Sequence, residues 1–237
     1  MKLLKQIPNI ITLSNLGLGC VAVFYASNND LLLAAYLSIA GIFLDFFDGF
    51  FARILKVSGE FGKQLDSLAD MVTSGVVPGI ILFQLFRKQE VVEYIDAYIP
   101  YLGIIFILGA ACRLAKFNID ERQSDSFIGL PTPAATIFVL SIPLMLSLES
   151  SPLIHAILGN FWFLLATTVT LTYLMNAELP LFSLKFKGDI SWKKNHVKYV
   201  FLVISIVLFG LLKVIAIQIV ITLYVMLSII FRAKKIA

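Results

Sequence analysis

Charge is scarce in this chain. Of 237 residues only 14% are charged, against 59% hydrophobic and 13% aromatic, whereas a soluble domain carries about 25% charged residues. Mean hydropathy is +0.91, so the polar residues available cannot cover a water-exposed surface. The same apolar excess excludes a disordered chain. Cysteine is nearly missing too. Cys20 and Cys112 stand apart in apolar stretches, which excludes a disulfide scaffold and a cysteine zinc site. Histidine is limited to His155 and His196, so the paired His-x-Lys-x-x-x-x-Asp motif of phospholipase-D-type chemistry is missing. A nucleic-acid-binding domain is excluded by the same composition. What remains is a polytopic integral membrane protein, all-α, in which each of the few charges needs a reason.

A spanning helix needs about 20 mostly apolar residues. Eight candidate segments are expected, over about 8–27, 31–55, 62–86, 97–117, 132–148, 157–176, 198–214 and 216–232. Only a weak turn around Lys213, Ala216 and Gln218 separates the last two, so one long bent helix is the alternative there. Lys2 and Lys5 before an apolar run look like a signal peptide. Gly17-Leu18-Gly19-Cys20 resembles a lipoprotein cleavage box but lacks the leucine three residues before the cysteine. In a polytopic chain this segment reads as a retained first helix. Residues 1–237 read as one transmembrane domain, with a catalytic core over about 7–176 and additional helices over about 198–232. Trp162 and Trp192 suit membrane interfaces.

Sixteen of the 19 basic residues fall on one side of this arrangement. They are Lys2 and Lys5, then Arg53, Lys56 and Lys63, then Arg113, Lys116 and Arg122. The connection before 198 adds Lys185, Lys187, Lys193, Lys194 and Lys198, and the tail adds Arg232, Lys234 and Lys235. Only Arg87, Lys88 and Lys213 lie elsewhere. The positive-inside rule then places both termini in the cytoplasm. The basic side also suits contact with anionic membrane lipids. A bacterial inner membrane is the expected location.

Four aspartates break the apolar pattern. Asp45 and Asp48 are three residues apart near the end of the second segment. Asp66 and Asp70 are four apart at the start of the third. Each pair therefore lies on one helix face. The short link Lys56-Val57-Ser58-Gly59-Glu60 makes the two helices antiparallel neighbours, so both pairs converge near the cytoplasmic surface. A carboxylate at membrane depth costs at least about 2.5 kcal/mol, and four together repel. Divalent cations relieve that repulsion, and an all-oxygen site suits Mg²⁺, Mn²⁺ or Ca²⁺. Four carboxylates suit two ions, the arrangement typical of phosphoryl chemistry. Gly49, Ala52 and Gly62 leave room for a ligand, and Arg53 offers a fork for phosphate oxygens. An interhelical salt-bridge cluster is the plain alternative, but Arg53, Lys56 and Lys63 are too few for four acids. A cation transporter using the aspartates is the other.

The full pattern is Asp45-x-x-Asp48-Gly49-x-x-Ala52-Arg53, eight residues, then Gly62-x-x-x-Asp66-x-x-x-Asp70. It resembles the signature of the CDP-alcohol phosphatidyltransferase family at all eight positions. The resemblance implies a six-helix membrane core, usually a homodimer, that uses divalent metals to transfer a phosphatidyl group from a CDP-linked lipid to an alcohol. Ser67 and Met71 stand where the glycerophosphate-using members usually carry proline and lysine. The stretches 65–78, Ala111-Cys112-Arg113-Leu114-Ala115-Lys116-Phe117-Asn118 and Phe127-Ile128-Gly129-Leu130-Pro131-Thr132-Pro133-Ala134-Ala135 are similar to the phosphatidylserine-forming branch, as is the opening Ile7-Pro8-Asn9-Ile10-Ile11-Thr12-Leu13.

The resemblance implies roles residue by residue. Asp45, Asp48, Asp66 and Asp70 hold the metals, and Asp70 is also the general base. Asp48, Gly49, Ala52 and Arg53 contact CDP-diacylglycerol, with Asn9 and Thr12 near the cytidine. Serine as acceptor is a zwitterion, so its carboxylate needs a cation. Arg113 is the candidate; Asn118, Thr73 and Ser74 are further candidates for the serine pocket. Another acceptor, such as glycerol phosphate, inositol phosphate or choline, is the alternative within the family.

Overall fold

A computed structural model describes residues 6–55, 57, 59–89, 96–120, 128–181 and 192–236; the side chains of 192–194 and 231–236 are not part of that description. Lys2, Lys5, Lys56, Arg122, Phe127, Lys185 and Lys187 fall outside the described residues, as do the side chains of Trp192, Lys193, Lys194, Arg232, Lys234 and Lys235. The described residues are helical throughout, apart from turns and one isolated backbone bridge between Ile128 and Pro180. The helices are α1 (Ile7–Ser27), α2 (Leu31–Ile54), α3 (Glu60–Asp70), α4 (Val77–Arg87), α5 (Gly103–Ile119), α6 (Thr132–Leu148), α7 (Pro152–Leu158), α8 (Phe161–Asn176), α9 (Trp192–Leu212) and α10 (Ile215–Ile236).

Among the described residues, five helical stretches are long and apolar enough to cross a membrane: Ile7–Ser27, Leu31–Ile54, Glu60–Arg87, Ile99–Ile119 and Asn195–Leu212. The pair α7 and α8, bent by 57°, makes a sixth if it is one span. The expected count of eight is not reached by this measure. Thr132–Leu148 and Ile215–Ile230 are apolar but shorter, and 17 residues rise only about 25 Å against a hydrocarbon core of about 30 Å. The last two segments are separate helices. Lys213 takes a left-handed φ of +48° between them, and the Phe201 and Tyr224 rings meet at 5.8 Å, so α10 folds back on α9.

α1 and α2 pack closely because Ala22, Ala26, Ala34 and Ala35 present only methyl groups to the core, each with no exposed surface. Small residues let helix backbones approach in the membrane. The turn between the two helices is closed by Asp30, whose carboxylate accepts from Leu33 N at 3.2 Å. The last turn of α1 is also held from a distance: Gln84 Nε2 donates to Ser27 O at 2.8 Å, a carbonyl at the open helix end, and to Ala26 O at 3.1 Å, which accepts from Asn29 N as well.

The central helix is interrupted by one turn of π-helix, Met71–Val76, between α3 and α4. Its cause is local. Val77 N bonds Val72 O, five residues back, which passes over Thr73 O. Pro78 has no N–H, so Ser74 O loses its usual donor as well. Both carbonyls are met from neighbouring helices: Ser38 Oγ on α2 donates to Thr73 O at 2.9 Å, and Thr136 Oγ1 on α6 donates to Ser74 O at 2.6 Å. A π turn of this kind survives because tertiary contacts replace the missing helical bonds.

The stretch Gly129-Leu130-Pro131-Thr132-Pro133 starts α6 as expected, with proline in its first turn. It also clasps the end of α8. Gly129 N donates to Leu179 O and Leu130 N to Leu174 O, both at 2.8 Å. Gly129 holds φ +78°, and an added Cβ would lie 2.6 Å from Met175 O, so only glycine fits there.

Candidate active site at the foot of the first three helices

The two aspartate pairs converge. One carboxylate oxygen from each of Asp45, Asp48 and Asp66 lies within 4.8 Å of the others. Asp48 and Asp70 are buried at 6% and 9% exposure. Asp70 adjoins Asp45 and Asn15. α1 packs along both α2 and α3 and completes the site. Thr12 Oγ1 lies 2.6 Å from Asp48 Oδ2 and 3.0 Å from Pro8 O, and its single proton is best used on the carboxylate.

These residues fit a hard divalent cation. The donor set is all carboxylate oxygen, the preference of Mg²⁺, Mn²⁺ and Ca²⁺. Asp45 Oδ1 and Asp70 Oδ1 are buried with no hydrogen-bond partner. Buried carboxylate oxygens without a donor are unstable unless charge is supplied to them.

Beside the acids is an open cavity of about 350 Å³. Asn9, Thr12, Asp48, Gly49, Ala52, Arg53, Gly62 and Asp66 all line it, so the expected nucleotide-side residues come together. Gly49 faces open space, and a Cβ added there would meet nothing within 4 Å. Arg53 is exposed, with its Nε donating to Gly49 O at 2.9 Å. Its other guanidinium nitrogens have not been committed by that bond.

The serine-side candidates separate. Arg113 is 4% exposed and lies over the Phe117 ring at 5.5 Å. It lines a second cavity, of about 380 Å³, with Lys116, Asp120, Asn176 and Glu178. Asn118 is elsewhere. Its amide meets Ser67 Oγ at 2.9 Å and its carbonyl accepts from Lys63 Nζ at 2.6 Å, tying α5 to α3. Thr73 and Ser74 have no exposed surface and line neither cavity. Thr73 and Ser74 are closed off between helices and half-buried Asn118 is engaged by Ser67 and Lys63, whereas Arg113 lines a cavity.

Two contacts give the register of α5 against the central helix. Ser67 meets Asn118, and eight residues further in, Gly75 faces Ala110 at 3.3 Å from its would-be Cβ. Interpolation along these antiparallel helices sets Arg113 level with Val72, within one turn of Asp70. Asn15, Asn176 and Glu178 were not singled out in the sequence. Asn15 had a signal, an amide in the middle of an apolar span. Asn176 and Glu178 had none until the end of α8 was located.

The sequence profile of the CDP-alcohol phosphatidyltransferases matches residues 5–175. The chain belongs to this family. A CDP-diacylglycerol–serine O-phosphatidyltransferase of Helicobacter pylori is 37% identical over 139 residues, covering 56% of this chain and 55% of that protein. The protein of that name from Bacillus subtilis is 32% identical over 180 residues, covering 74% and 89%. An archaetidylserine synthase of Methanothermobacter thermautotrophicus is 29% identical over 139 residues, covering 57% and 56%. The matches thus span about half the length of the Helicobacter and archaeal relatives. The family match ends at 175 and leaves α9 and α10 outside it. The chain is a multi-pass membrane protein of this family, with an aspartate cluster able to hold a divalent metal.

Proposed function

We propose that the protein transfers the phosphatidyl group of CDP-diacylglycerol to the hydroxyl of L-serine, giving phosphatidylserine and CMP. The carrying observation is the meeting of Asp45, Asp48 and Asp66 within 4.8 Å at the edge of a cavity that Arg53 also lines. The serine-using names of the relatives support the acceptor. The reaction centre and both termini face the cytoplasm of a bacterial inner membrane, supported by the basic residues on that side. The catalytic core is about 7–176, the additional helices are about 198–232, and the family resemblance implies a homodimer.

In this reading Asn9 and Thr12 flank the cytidine, and Arg53 grips diphosphate oxygens with the nitrogens not bonded to Gly49. Gly49 and Ala52 leave space for the diphosphate. Asp45, Asp48, Asp66 and Asp70 would hold two divalent cations, Mg²⁺ or Mn²⁺ with Ca²⁺ as a further fit, which would supply charge for the diphosphate and for the departing CMP. Arg113 binds the serine carboxylate one turn from Asp70. Asp70 accepts the proton of the serine hydroxyl. The serine oxygen forms a bond to the phosphorus attached to diacylglycerol as the bond from that phosphorus to the CMP oxygen breaks, and the electron pair leaves with CMP.

The test is an acceptor panel. Purified protein with CDP-diacylglycerol and labelled serine, glycerol phosphate, inositol phosphate or choline is expected to incorporate serine and release CMP in equal amount. Incorporation of glycerol phosphate but not serine overturns the acceptor assignment. Asp70→Asn is expected to lower turnover by about 100-fold or more with CDP-lipid binding retained; near-normal turnover overturns the base assignment.

A further inference from the structure

Asn15 stands in the middle of α1 with no exposed surface. Its side-chain oxygen accepts from Thr73 Oγ1 at 2.8 Å, and the same hydroxyl is 3.3 Å from the Asn15 backbone oxygen. The shorter contact takes the proton. Two glycines make room for the pair. A methyl group at Gly41 would sit 2.7 Å from Asn15 Oδ1, and one at Gly19 would sit 2.5 Å from Thr73 Oγ1. Thr73 is itself pinned, because Ser38 Oγ donates to its carbonyl at 2.9 Å.

The oxygen and nitrogen of an amide point in different directions from one carbon. Fixing Oδ1 on Thr73 therefore aims Nδ2 away from Thr73. Asn15 Nδ2 is buried with no hydrogen-bond partner, and so is Asp70 Oδ1; the two side chains are neighbours. A donor lacking an acceptor thus lies beside a carboxylate oxygen lacking a donor. The reversed amide would turn its oxygen toward the carboxylate, acceptor against acceptor, and the chemistry selects the orientation found.

We propose that Asn15, held by Thr73, is a positioning residue for Asp70. Its Nδ2–H holds one oxygen of the Asp70 carboxylate, so that the other is presented to the acceptor hydroxyl. This rests on the transfer reading above, in which Asp70 is the base. The π turn is part of the device. It sets Thr73 three residues beyond Asp70 with its hydroxyl on α1 and its carbonyl on α2, so the base is tied to both neighbouring helices.

The experiment measures kcat and KM for CDP-diacylglycerol and for the acceptor in Thr73→Val, Thr73→Ser and Asn15→Leu. Partners that orient a ligand or base from behind typically contribute 10- to 100-fold. Thr73→Val and Asn15→Leu are expected to lower kcat by about that factor, with KM for CDP-diacylglycerol within about twofold. Thr73→Ser keeps the hydroxyl and is expected to stay within about threefold of the parent. The double variant Asn15→Leu/Asp70→Asn is expected to be no slower than Asp70→Asn alone, because two residues acting as a unit are not additive. A folded Thr73→Val with parental kcat overturns the role, as does a loss confined to KM or a Thr73→Ser as slow as Thr73→Val. If the Asn15 and Thr73 variants do not fold, Gly41→Ala, whose added methyl presses on both Asn15 Oδ1 and Thr73 Cγ2, takes their place; a folded Gly41→Ala with unchanged kcat overturns the role. The two readings fail differently. Parent protein that releases no CMP with any alcohol removes the transfer reading, whereas parent turnover matched by Thr73→Val removes only the positioning role.

Discussion

Hydroxyl side chains do different work in the centre of the bundle and in its C-terminal helices. Around the π turn, Ser38, Thr73 and Thr136 each donate across to another helix, at 2.9, 2.8 and 2.6 Å. In α9 and α10, Ser205 and Thr222 donate to the carbonyl four residues back in their own helix, at 2.7 and 2.8 Å. Hydropathy does not separate the two regions, being 1.6 for Glu60–Arg87 and 1.9 for Asn195–Leu212. Burial does, at 67% of the apolar window against 17%. The lesson is that a polar atom in a span reports function by where it points. A bond within the helix is local accommodation, and a bond between helices fixes geometry that something else depends on.

The contrast is broken most severely at the acids. Asp45→Asn removes one of the three converging carboxylates and is expected to lower turnover by more than about 100-fold, beyond the range of partners that only support a metal ligand. The same change relieves crowding around a buried oxygen that has no donor. In metal-free buffer its melting temperature is therefore expected to equal or exceed that of the parent. Chelation of the parent should abolish turnover and added Mg²⁺ or Mn²⁺ should restore it. An Asp45→Asn protein that keeps turnover, or melts well below the parent without metal, would make the cluster structural.

A smaller effect is expected at Thr136. Its hydroxyl is the donor at 2.6 Å to Ser74 O, and Pro78 offers no backbone replacement. Thr136→Val preserves shape and leaves that buried carbonyl unpaired. Hydrogen bonds between membrane helices average about 0.6 kcal/mol and reach about 1.7, so a fall of about 2–4 °C in melting temperature is expected. Thermal unfolding in a fixed detergent measures it.

These two sites also mark how far the sequence could be read. The aspartates were legible because acids at spacings of three and four inside apolar segments have no routine explanation. Asn9 and Thr12 were placed by resemblance alone, and both line the cavity beside the acids. The π turn was not legible. Met71-Val72-Thr73-Ser74-Gly75-Val76 reads as ordinary helix, and only the missing N–H of Pro78 hints that carbonyls upstream need other donors. The direction in which Thr73, Ser74 and Asn118 face was not legible for the same reason: a hydroxyl or amide near a site is equally compatible with facing a ligand and facing a neighbouring helix. Position along the helix was legible, but rotation about its axis required knowing which helix packs there. Hydropathy marks apolar runs without fixing their length as helices, and among the described residues α6 and the apolar part of α10 are apolar but shorter than the other spans.

The smallest effect tests the other half of the comparison. Ser205 is buried, at 8% exposure, and its hydroxyl bonds Phe201 O at 2.7 Å. That carbonyl lies four residues before Ser205 in α9 and receives the helical N–H of Ser205 as well. Ser205→Ala therefore leaves no carbonyl unpaired. A back-bonded serine in a helix slightly favours bending, so alanine straightens as much as it loses. The expected change in stability is below about 0.5 kcal/mol, with kcat unchanged, although Ser205 is as deeply buried as several residues of the core. If Ser205→Ala lowered the melting temperature as far as Thr136→Val, the direction of a hydroxyl would not distinguish the two regions. Burial alone would then account for both.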